Sequence, residues 1–300
     1  MSNKVMTMKK AVSQNVKSGD LLFIGGAQHG SPVAACHEIA RQKIDHLTLI
    51  SLLANTGPLI PEGLVDTVLT GYSQLDEKRS YILQRARAMG KFPNFIEYSH
   101  FGIAQALYAG YMGVSFMPTR SQIGSDMPKY NPNIVSINDP FTPGGKIGAI
   151  RAVVPDVGIL HVQRCDAEGN AQRWGTLGVD QEGINASKKI IITTEKIVDS
   201  AVIQRDPNRT IIAGFRVSAV VEQPFGAYPV HLAGCYNDGP GALGMMGDEE
   251  SYNAYMQAAV WGVKDWNEYL ENLKKVNGAD FLEKIKIKNP AMSEPVITGI

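Results

Sequence analysis

Short apolar runs alternate with helix-like segments along most of the chain. The first run, from Leu21 to Ile24, ends at two glycines, a pattern typical of a buried strand that leads into a turn. Continuous apolar runs of this length favour a parallel sheet, because helices cover both faces of such a sheet. Further strands are predicted at residues 47–52, 64–70 (with a helix end), 114–119, 147–150, 157–162, 189–194, 210–213 and 217–221.

Between these runs, apolar residues recur at helical spacing. This pattern predicts helices at 5–19, 32–41, 77–89 and 101–111, and a helical elaboration at about 248–285. The alternation predicts a single α/β domain over residues 1–300, with an open, mostly parallel sheet and helices on both faces. Residues 121–146 are rich in Pro, Gly and Asn and show no periodicity. They are predicted to form a long loop, and loops of that length are usually functional or interface-forming.

Composition narrows the class of protein. The 29 Lys and Arg residues balance 29 Asp and Glu residues, which argues against a nucleic-acid or anionic-membrane partner. No run of about 18 apolar residues occurs, so no membrane span is expected, and the first residues lack the apolar core of a signal peptide. Cys36, Cys165 and Cys235 form no CxxC pair, which favours buried thiols in a reducing compartment. We therefore expect a cytoplasmic protein.

The glycine turn after the first strand is the first candidate for ligand binding. Gly25 and Gly26 would let a ligand approach the backbone, and the helix that begins near Pro32 would offer free N–H groups to an anion. The pattern is not GxGxxG, and no acidic residue stands about 20 positions later, so Rossmann-type dinucleotide binding is not expected. The local sequence fits a purely structural turn equally well.

The second candidate is His100. Ser99 is predicted to be the N-cap of a helix, which places His100 near the positive end of the helix dipole. An imidazole in a cleft can act as a hydrogen-bond donor or a base, although a histidine beside a helix cap can also be structural. His29, His37 and His46 share no helix face with a carboxylate, so no metal site is expected. Neither a GxSxG elbow nor a P-loop occurs.

Eleven motifs occur in order through nearly the whole chain. They are VKSGD at 16–20, GG at 25–26, Pro32, DHLT at 45–48, EYS at 97–99, GVSFMP at 113–118, DPF at 139–141, DAEGN at 166–170, WG at 174–175, TEKIV at 194–198 and PFGA at 224–227. This series resembles the α subunits of family I coenzyme A transferases, most of all those of the glutaconate type.

The resemblance implies an open α/β fold in a higher hetero-oligomer, with the active site between an α and a β subunit. In this family a β-subunit glutamate in a Ser-Glu-Asn-Gly motif attacks the acyl-CoA thioester and forms an acyl-glutamyl anhydride. Coenzyme A then attacks the anhydride to give an enzyme thioester, and the acceptor carboxylate reverses the sequence. A coenzyme A thioester is thus the substrate, and no tightly bound cofactor is expected. This sequence contains no Ser-Glu-Asn-Gly, so the resemblance implies a transferase that is active only with its β partner.

The resemblance also points to residues of the acyl pocket. Gly25 and Gly26 belong to the family's opening motif, and Asn55 lies near a pocket-facing stretch. Ser73 and Gln74 resemble the family's substrate-facing strand end. These five residues are expected to bind substrate.

Two positions depart from the family pattern. His100 stands where typical transferases have glutamine and where ring-opening acyl-CoA hydrolases have glutamate. We therefore expect His100 to be catalytic, either as a hydrogen-bond donor to an acyl or enolate oxygen or as a base that activates water. Tyr228 stands where histidine is common.

Three functions stay open on this basis. The first is the α subunit of an acyl-CoA:carboxylate coenzyme A transferase. The second is a CoA-dependent hydrolase that opens a cyclic β-keto acyl-CoA by C–C cleavage, with water activated at His100. The third is a non-catalytic regulatory subunit on the fold shared with sugar-phosphate isomerases.

Overall fold

The structure is a computed structural model that describes residues 4–72, 81–239 and 247–288. Its strands are β1 (Leu21–Ile24), β2 (Leu47–Ile50), β3 (Val65–Thr70), β4 (Asn94–Glu97), β5 (Phe116–Thr119), β6 (Ile134–Asn138), β7 (Lys146–Arg151), β8 (Val157–Val162), β9 (Arg164–Asp166), β10 (Ala171–Gln172), β11 (Lys189–Thr194), β12 (Ile197–Val198), β13 (Thr210–Ile212) and β14 (Ala219–Glu222). Its α-helices are α1 (Met8–Asn15), α2 (Val33–Arg41), α3 (Tyr81–Ala88), α4 (His100–Met112), α5 (Met127–Tyr130), α6 (Asp180–Ala186), α7 (Ser200–Gln204), α8 (Glu249–Met256), α9 (Trp266–Asn277) and α10 (Phe281–Ile285).

Seven parallel strands form the central sheet in the order β14-β11-β8-β1-β2-β3-β4. The chain builds outward from β1 through β2, β3 and β4, and later returns to the other side of β1 with β8. The strand order therefore reverses between β1 and β8. In open parallel sheets, ligands bind at the carboxyl ends of the strands near such a switch point. The predicted open, mostly parallel α/β sheet is confirmed.

Side chains of β1 show how both faces of the sheet are covered. Leu22 and Ile24 pack into the apolar core formed with α1, α2 and the C-terminal helices. Phe23 points the opposite way and packs with residues of α4. Gly183 of α6 lies so close to Phe23 that a Cβ there would be 2.2 Å from its ring. Burial of each large apolar side chain contributes about 1.5–3 kcal/mol, which stabilises helices on both sides.

Capping residues determine where two of the predicted helices begin and end. Helix α4 begins where the Ser99 hydroxyl accepts the N–H of Gly102, and it ends at Gly113 with φ of 71°. The helix predicted at 101–111 is thus confirmed with one more residue at each end. The helix predicted at 5–19 is shorter, because Thr7 caps the start of α1 and Val16 is already extended. Residues 77–80 of the third predicted helix lie outside the described residues.

Several predicted strands lie in smaller sheets. The strands expected at 114–119 and 147–150 are β5 and β7, which form an antiparallel sheet in the order β5-β7-β6. The strand expected at 210–213 is β13, in a four-stranded sheet of order β12-β9-β10-β13. The prediction of an irregular loop at 121–146 was wrong, because α5 and β6 lie within it. Pairing with β7 makes β6 a strand, and the local sequence carries no sign of that pairing.

Three α-helices lie in the segment for which a helical elaboration was predicted, at about 248–285. Helix α8 continues through a π-helical turn (Gln257–Trp261) towards α9, and α10 follows. Within the described ranges, no helix is both long and apolar enough to cross a bilayer.

Candidate active site

All seven strands of the central sheet are parallel, so their carboxyl ends meet at one edge. The loops after β1 and β2 are hydrogen-bonded to each other there. The Ser31 hydroxyl accepts the N–H of Asn55 at 2.9 Å, and the N–H of Gln28 donates to the carbonyl of Leu53 at 3.3 Å. Gln28 and Leu53 both have φ of 64°, so the two loops hold each other in an uncommon conformation.

The end of β3 continues this edge towards His100. The Thr70 hydroxyl lies 2.8 Å from the carbonyl of Tyr72 and 3.3 Å from that of Ser51, and it accepts the N–H of Tyr72 at 3.1 Å. The ring of Tyr72 meets the imidazole of His100 edge-on, with centroids 5.7 Å apart. Gly71 allows this approach, because a Cβ there would be 2.8 Å from the Cα of His100.

The imidazole of His100 is exposed, at the first turn of α4. Neither of its ring nitrogens makes a hydrogen bond to another described residue. Beside it, the amide oxygen of Gln122 accepts the N–H of Ser99 at 3.3 Å. Gln122 has φ of 72° and packs over Gly102, where a Cβ would be 2.3 Å from its amide nitrogen. Sequence reasoning missed Gln122, because it lies in the aperiodic segment.

Gly25 and Gly26 lie buried where β1 ends. The N–H of Gly26 donates to the carboxylate of Asp180 at 2.7 Å. A Cβ on Gly26 would be 2.7 Å from the Cα of Ser31, and φ there is +108°; a Cβ on Gly25 would be 2.4 Å from Leu160. The chain's own packing therefore already requires glycine at position 26, whereas at position 25 the added Cβ would meet the flexible end of the Leu160 side chain. Their contact with substrate stays a prediction.

Asn55 lies partly buried in the loop after β2. Its amide oxygen accepts the N–H of Gly57 at 2.8 Å, which orients the amide at the carboxyl edge. Ser73 and Gln74 lie outside the described residues, although Tyr72 immediately before them lies at this edge. Substrate binding by Asn55, Ser73 and Gln74 stays a prediction.

A buried ion pair lies beneath the glycine turn. The Nε of Arg173 is 2.7 Å from a carboxylate oxygen of Asp180, and both side chains are almost fully buried. Arg173 also donates to the carbonyls of His161 at 2.6 Å and His29 at 3.1 Å. Burial raises the pKa of Asp180, although the guanidinium opposes that shift. The pair joins the β1 turn to β8 and α6. Arg173 and Asp180 stand only seven residues apart, but no local pattern marks them as a pair, so sequence reasoning missed it.

A second buried network explains part of the TEKIV motif. His161 lies 2.8 Å from the Thr193 hydroxyl through Nδ1 and 2.7 Å from the Glu195 carboxylate through Nε2. Glu195 also accepts the N–H of Phe225 at 2.9 Å and the hydroxyl of Tyr236 at 3.1 Å. These contacts join the carboxyl ends of β8 and β11 to the segment after β14.

His29 and His37, which were considered as metal ligands from the sequence, lie among residues of the folded core. Burial and the nearby Arg173 lower the pKa of His29 to about 4. His37 lies in the core, 2.6 Å from the hydroxyl of Tyr255, and burial followed by the charge of Arg41 lowers its pKa to about 3. Among the described residues, no three His, Cys, Asp or Glu side chains are grouped so that they could hold a metal ion.

Tyr228 lies in the core between the sheet and the C-terminal helices. It is 3% exposed and meets Phe281 edge-on, with centroids 6.1 Å apart, while Tyr269 lies 6.3 Å away. Burial raises its pKa to about 12. A tyrosine at this position therefore fills apolar space.

Comparison with known proteins assigns the family. Residues 5–223 match the sequence model described as "Coenzyme A transferase". The chain belongs to the coenzyme A transferase family.

Two curated relatives of this coenzyme A transferase family member are A subunits. That of the 3-oxoadipate CoA-transferase of Pseudomonas knackmussii is 32% identical over 275 residues, which cover 89% of this chain and 96% of the relative. That of the glutaconate CoA-transferase of Acidaminococcus fermentans is 30% identical, with 95% of each chain covered. The resemblance to α subunits is confirmed.

Solved structures agree with this assignment. The crystal structure of the Acidaminococcus fermentans glutaconate enzyme matches with a TM-score of 0.84 and 30% identity, over 95% of this chain and 96% of the matched chain. A decarboxylase, AibA/AibB, matches with a TM-score of 0.67 and 26% identity, over 94% and 98% of the two chains. This coenzyme A transferase fold therefore also occurs in a decarboxylase.

Proposed function

We propose that this chain is the α subunit of a heteromeric acyl-CoA:carboxylate coenzyme A transferase. Near-full-length similarity to the A subunits of two transferases carries the proposal. This sequence contains no Ser-Glu-Asn-Gly motif, which supports an active site in which a β subunit provides the nucleophilic glutamate. The two kinds of subunit would form a higher hetero-oligomer in the cytoplasm, with this chain contributing one α-subunit domain.

The proposed chemistry keeps the energy of the thioester bond. The partner's glutamate carboxylate attacks the thioester carbonyl, the C–S bond breaks, and the coenzyme A thiolate leaves. The thiolate then attacks the glutamyl carbonyl of the anhydride, which releases the first carboxylate and leaves an enzyme thioester. The acceptor carboxylate reverses these steps. Water must be excluded, because it would hydrolyse the anhydride.

In this proposal, this chain forms the side of the active site that holds the acyl group. His100 donates a hydrogen bond from the start of α4 to the acyl oxygen, where negative charge develops. Tyr72 limits the movement of the imidazole and shields it on one side. The backbone at Gly25 and Gly26, with the polar groups of Asn55, Ser73 and Gln74, would line the acyl and acceptor positions.

A hydrolase is the second candidate, and the exposure of His100 favours it. A ring nitrogen that makes no hydrogen bond to a described residue can accept a proton from water. The reaction would open a cyclic β-keto acyl-CoA by C–C cleavage and leave the thioester intact. Similarity to a decarboxylase supports the idea that related chains carry out chemistry other than coenzyme A transfer.

One assay separates these candidates. The chain is co-purified with the β-subunit homologue from its own organism and given acyl-CoA with or without an acceptor carboxylate. A transferase forms the new acyl-CoA only when the acceptor is present. A ring-opening hydrolase instead needs no acceptor, and its cyclic substrate gains the mass of one water. Absence of both reactions in the purified complex would favour a regulatory role.

A further inference from the structure

The N-terminal cap of α4 is incomplete within the helix itself. The Ser99 hydroxyl accepts the N–H of Gly102 at 2.9 Å, which is one half of a capping box. In a complete capping box, a Glu or Gln side chain three residues after the cap reaches back to the N–H of the cap residue. Gly102 stands at that position and has no side chain, so α4 cannot supply the second hydrogen bond.

Gln122 completes this cap from the segment that follows β5. Its amide oxygen accepts the N–H of Ser99 at 3.3 Å. A Cβ on Gly102 would lie 2.8 Å from both the oxygen and the carbon of that amide. The Gln122 amide therefore occupies the space in which a side chain at position 102 would begin. It also makes the hydrogen bond that such a side chain makes in other helices.

The backbone of Gln122 is held in place for this contact. Its φ of 72° lies in the left-handed region, which a glutamine adopts only where the surrounding structure imposes it. The carbonyl of Gln122 accepts the hydroxyl of Ser125 at 2.7 Å and the N–H of Ser125 at 3.2 Å. The Thr119 hydroxyl, at the end of β5, accepts the N–H of Ser121 at 3.0 Å. These bonds tie Gln122 to the three-stranded sheet.

The orientation of the Gln122 amide follows from the N–H of Ser99. That N–H needs an acceptor, so the amide oxygen faces it and the amide nitrogen lies over Gly102. The nitrogen is buried and makes no hydrogen bond to a described residue. A buried donor without an acceptor is costly, and in a native protein it calls for an explanation. Holding the start of α4 provides that explanation.

A second side chain from the same segment holds the approach to α4. The amide nitrogen of Asn131 donates to the carbonyl of Glu97, at the end of β4, at 2.8 Å. Gln122 acts two residues later, at Ser99, which directly precedes His100. The segment that sequence analysis predicted to be functional or interface-forming therefore fixes the connection between β4 and α4.

We propose that Gln122 is a positioning residue for His100. The proposal rests on the proposed function, in which His100 is the polar group that acts on the acyl oxygen or on water. Loss of the bond to Ser99 would free the first turn of α4 and move the imidazole away from the reacting atoms. A misplacement of about 1 Å can lower a rate by about 10²-fold. Gln122 thus acts on the reaction through His100.

Removal of the Gln122 amide tests this role in the assembled complex. We expect Gln122→Ala to lower kcat at least about 10-fold and to change the KM for acyl-CoA less than about 3-fold, because the contact from His100 strengthens in the transition state. Gln42→Ala is the matched control. The Gln42 amide donates to the Lys9 carbonyl at 3.0 Å and the Glu38 carboxylate at 2.7 Å, where α2 ends away from the carboxyl edge. Loss of these distant bonds should change either constant by less than about 2-fold.

Two double variants show whether Gln122 acts through His100. In the His100→Ala background, Gln122→Ala should lower the rate further by less than about 2-fold, because the positioned group is already absent. In the Gln122→Ala background, Gly102→Gln should restore kcat to within about 3-fold of wild type, because glutamine there can complete the capping box within α4. Wild-type kcat in Gln122→Ala would overturn the proposal. A full additional loss on top of His100→Ala would overturn it as well.

Hydrogen–deuterium exchange of the full chain gives a readout that does not depend on the reaction. The Ser99 amide should exchange at least about 10-fold faster in Gln122→Ala, because its acceptor is lost, and Gly102→Gln should reverse the change. Unchanged exchange at Ser99 would show that Gln122 does not hold the helix start, and the positioning role would be wrong.

The wild-type complex keeps the two proposals distinguishable. If it catalyses neither coenzyme A transfer nor hydrolysis, the proposed function is wrong, and exchange at Ser99 still decides whether Gln122 holds the start of α4. If it is active and Gln122→Ala keeps wild-type kcat despite faster exchange at Ser99, the function stands and the positioning role is wrong.

Discussion

The imidazole of His100 meets the ring of Tyr72 at an interplanar angle of 89°, with centroids 5.7 Å apart. The two residues belong to different parallel strand–helix units, and their meeting follows from the adjacent ends of β3 and β4. Thr70 fixes the backbone of Tyr72, and Ser99 caps the helix that carries His100. The position of His100 is thus set by packing and capping, while its ring nitrogens make no hydrogen bond within the described part of the chain.

Replacement of His100 tests its role in the assembled complex. We expect His100→Ala to lower turnover by about 10²-fold or more, the usual effect of losing a positioned polar group. Stability should change little, because the side chain is exposed at the start of α4. Steady-state rates and thermal unfolding of the same preparations check both expectations.

The His100→Gln variant tells the two candidate reactions apart. In a transferase, the glutamine amide can donate a hydrogen bond to the acyl oxygen, so much of the activity should return. In a hydrolase the loss should be nearly as large as with alanine, because an amide cannot accept a proton at neutral pH. Wild-type rates for both variants would show that His100 is only a structural residue of the helix start.

The Gly26→Ala change should destabilise the fold. Its φ of +108° disfavours any side chain, and the added Cβ would lie 2.7 Å from the Cα of Ser31. We expect a loss of about 2 kcal/mol or more in the free energy of unfolding, measured with urea. Gly19→Ala is the matched control, because Gly19 has φ of +86° but no atom within 4 Å of the added Cβ. Equal losses in the two variants would contradict the contribution of the Ser31 contact.

Loss of Arg173 should leave a buried carboxylate without its counterion. We expect Arg173→Leu to lower the free energy of unfolding by about 3–5 kcal/mol, because the charge of Asp180 would be uncompensated. A second substitution, Asp180→Asn, should recover part of that loss, since it removes the charge. Chemical denaturation of the single and double variants measures this coupling, and additive losses would be inconsistent with it.

Acid should destabilise the protein through His37. Its folded-state pKa is lowered from 6.5 to about 3, so the unfolded chain binds a proton that the native chain excludes. His37 does not change the free energy of unfolding above about pH 6.5. Below that, the free energy of unfolding falls as the pH drops towards about 3. The slope from this one group is about 1.4 kcal/mol per pH unit.

The His37→Gln variant should therefore lose less stability between pH 6.5 and pH 4.5 than wild type does. His46→Gln is the control, because the bond to Asp66 raises the pKa of His46 and its contribution has the opposite pH dependence. Unfolding in urea at both pH values provides the measurement. An unchanged loss in His37→Gln would show that His37 is not the responsible group.

Part of the central sheet could be predicted because strands such as β1 and β8 are short, almost wholly apolar and buried, whereas β4 is not buried and was not predicted. Leu21–Ile24 and Val157–Val162 carry that pattern in the local sequence. Strand β6 does not, because Val135, Ser136 and Asn138 are exposed and the strand depends on β7 for its hydrogen bonds. Strands β10 and β12 have only two residues each, which is too short for any periodicity.

The candidate site could be predicted only in part. Ser99 and His100 stand in a local capping pattern that the sequence shows directly. The ion pair of Arg173 with Asp180 arises from tertiary packing and has no local signature. The glycines were predicted from their turn, yet the contact that makes Gly26 necessary comes from Ser31 across that turn.

Coenzyme A transfer by the separate and combined subunits tests the central claim most directly. The purified chain, the β-subunit homologue of the same organism and their mixture are each given acyl-CoA and an acceptor carboxylate. Formation of the new acyl-CoA should be absent with either protein alone and should appear in the mixture. Sustained turnover by the isolated chain would contradict the account, because its nucleophile would then have to lie within these 300 residues.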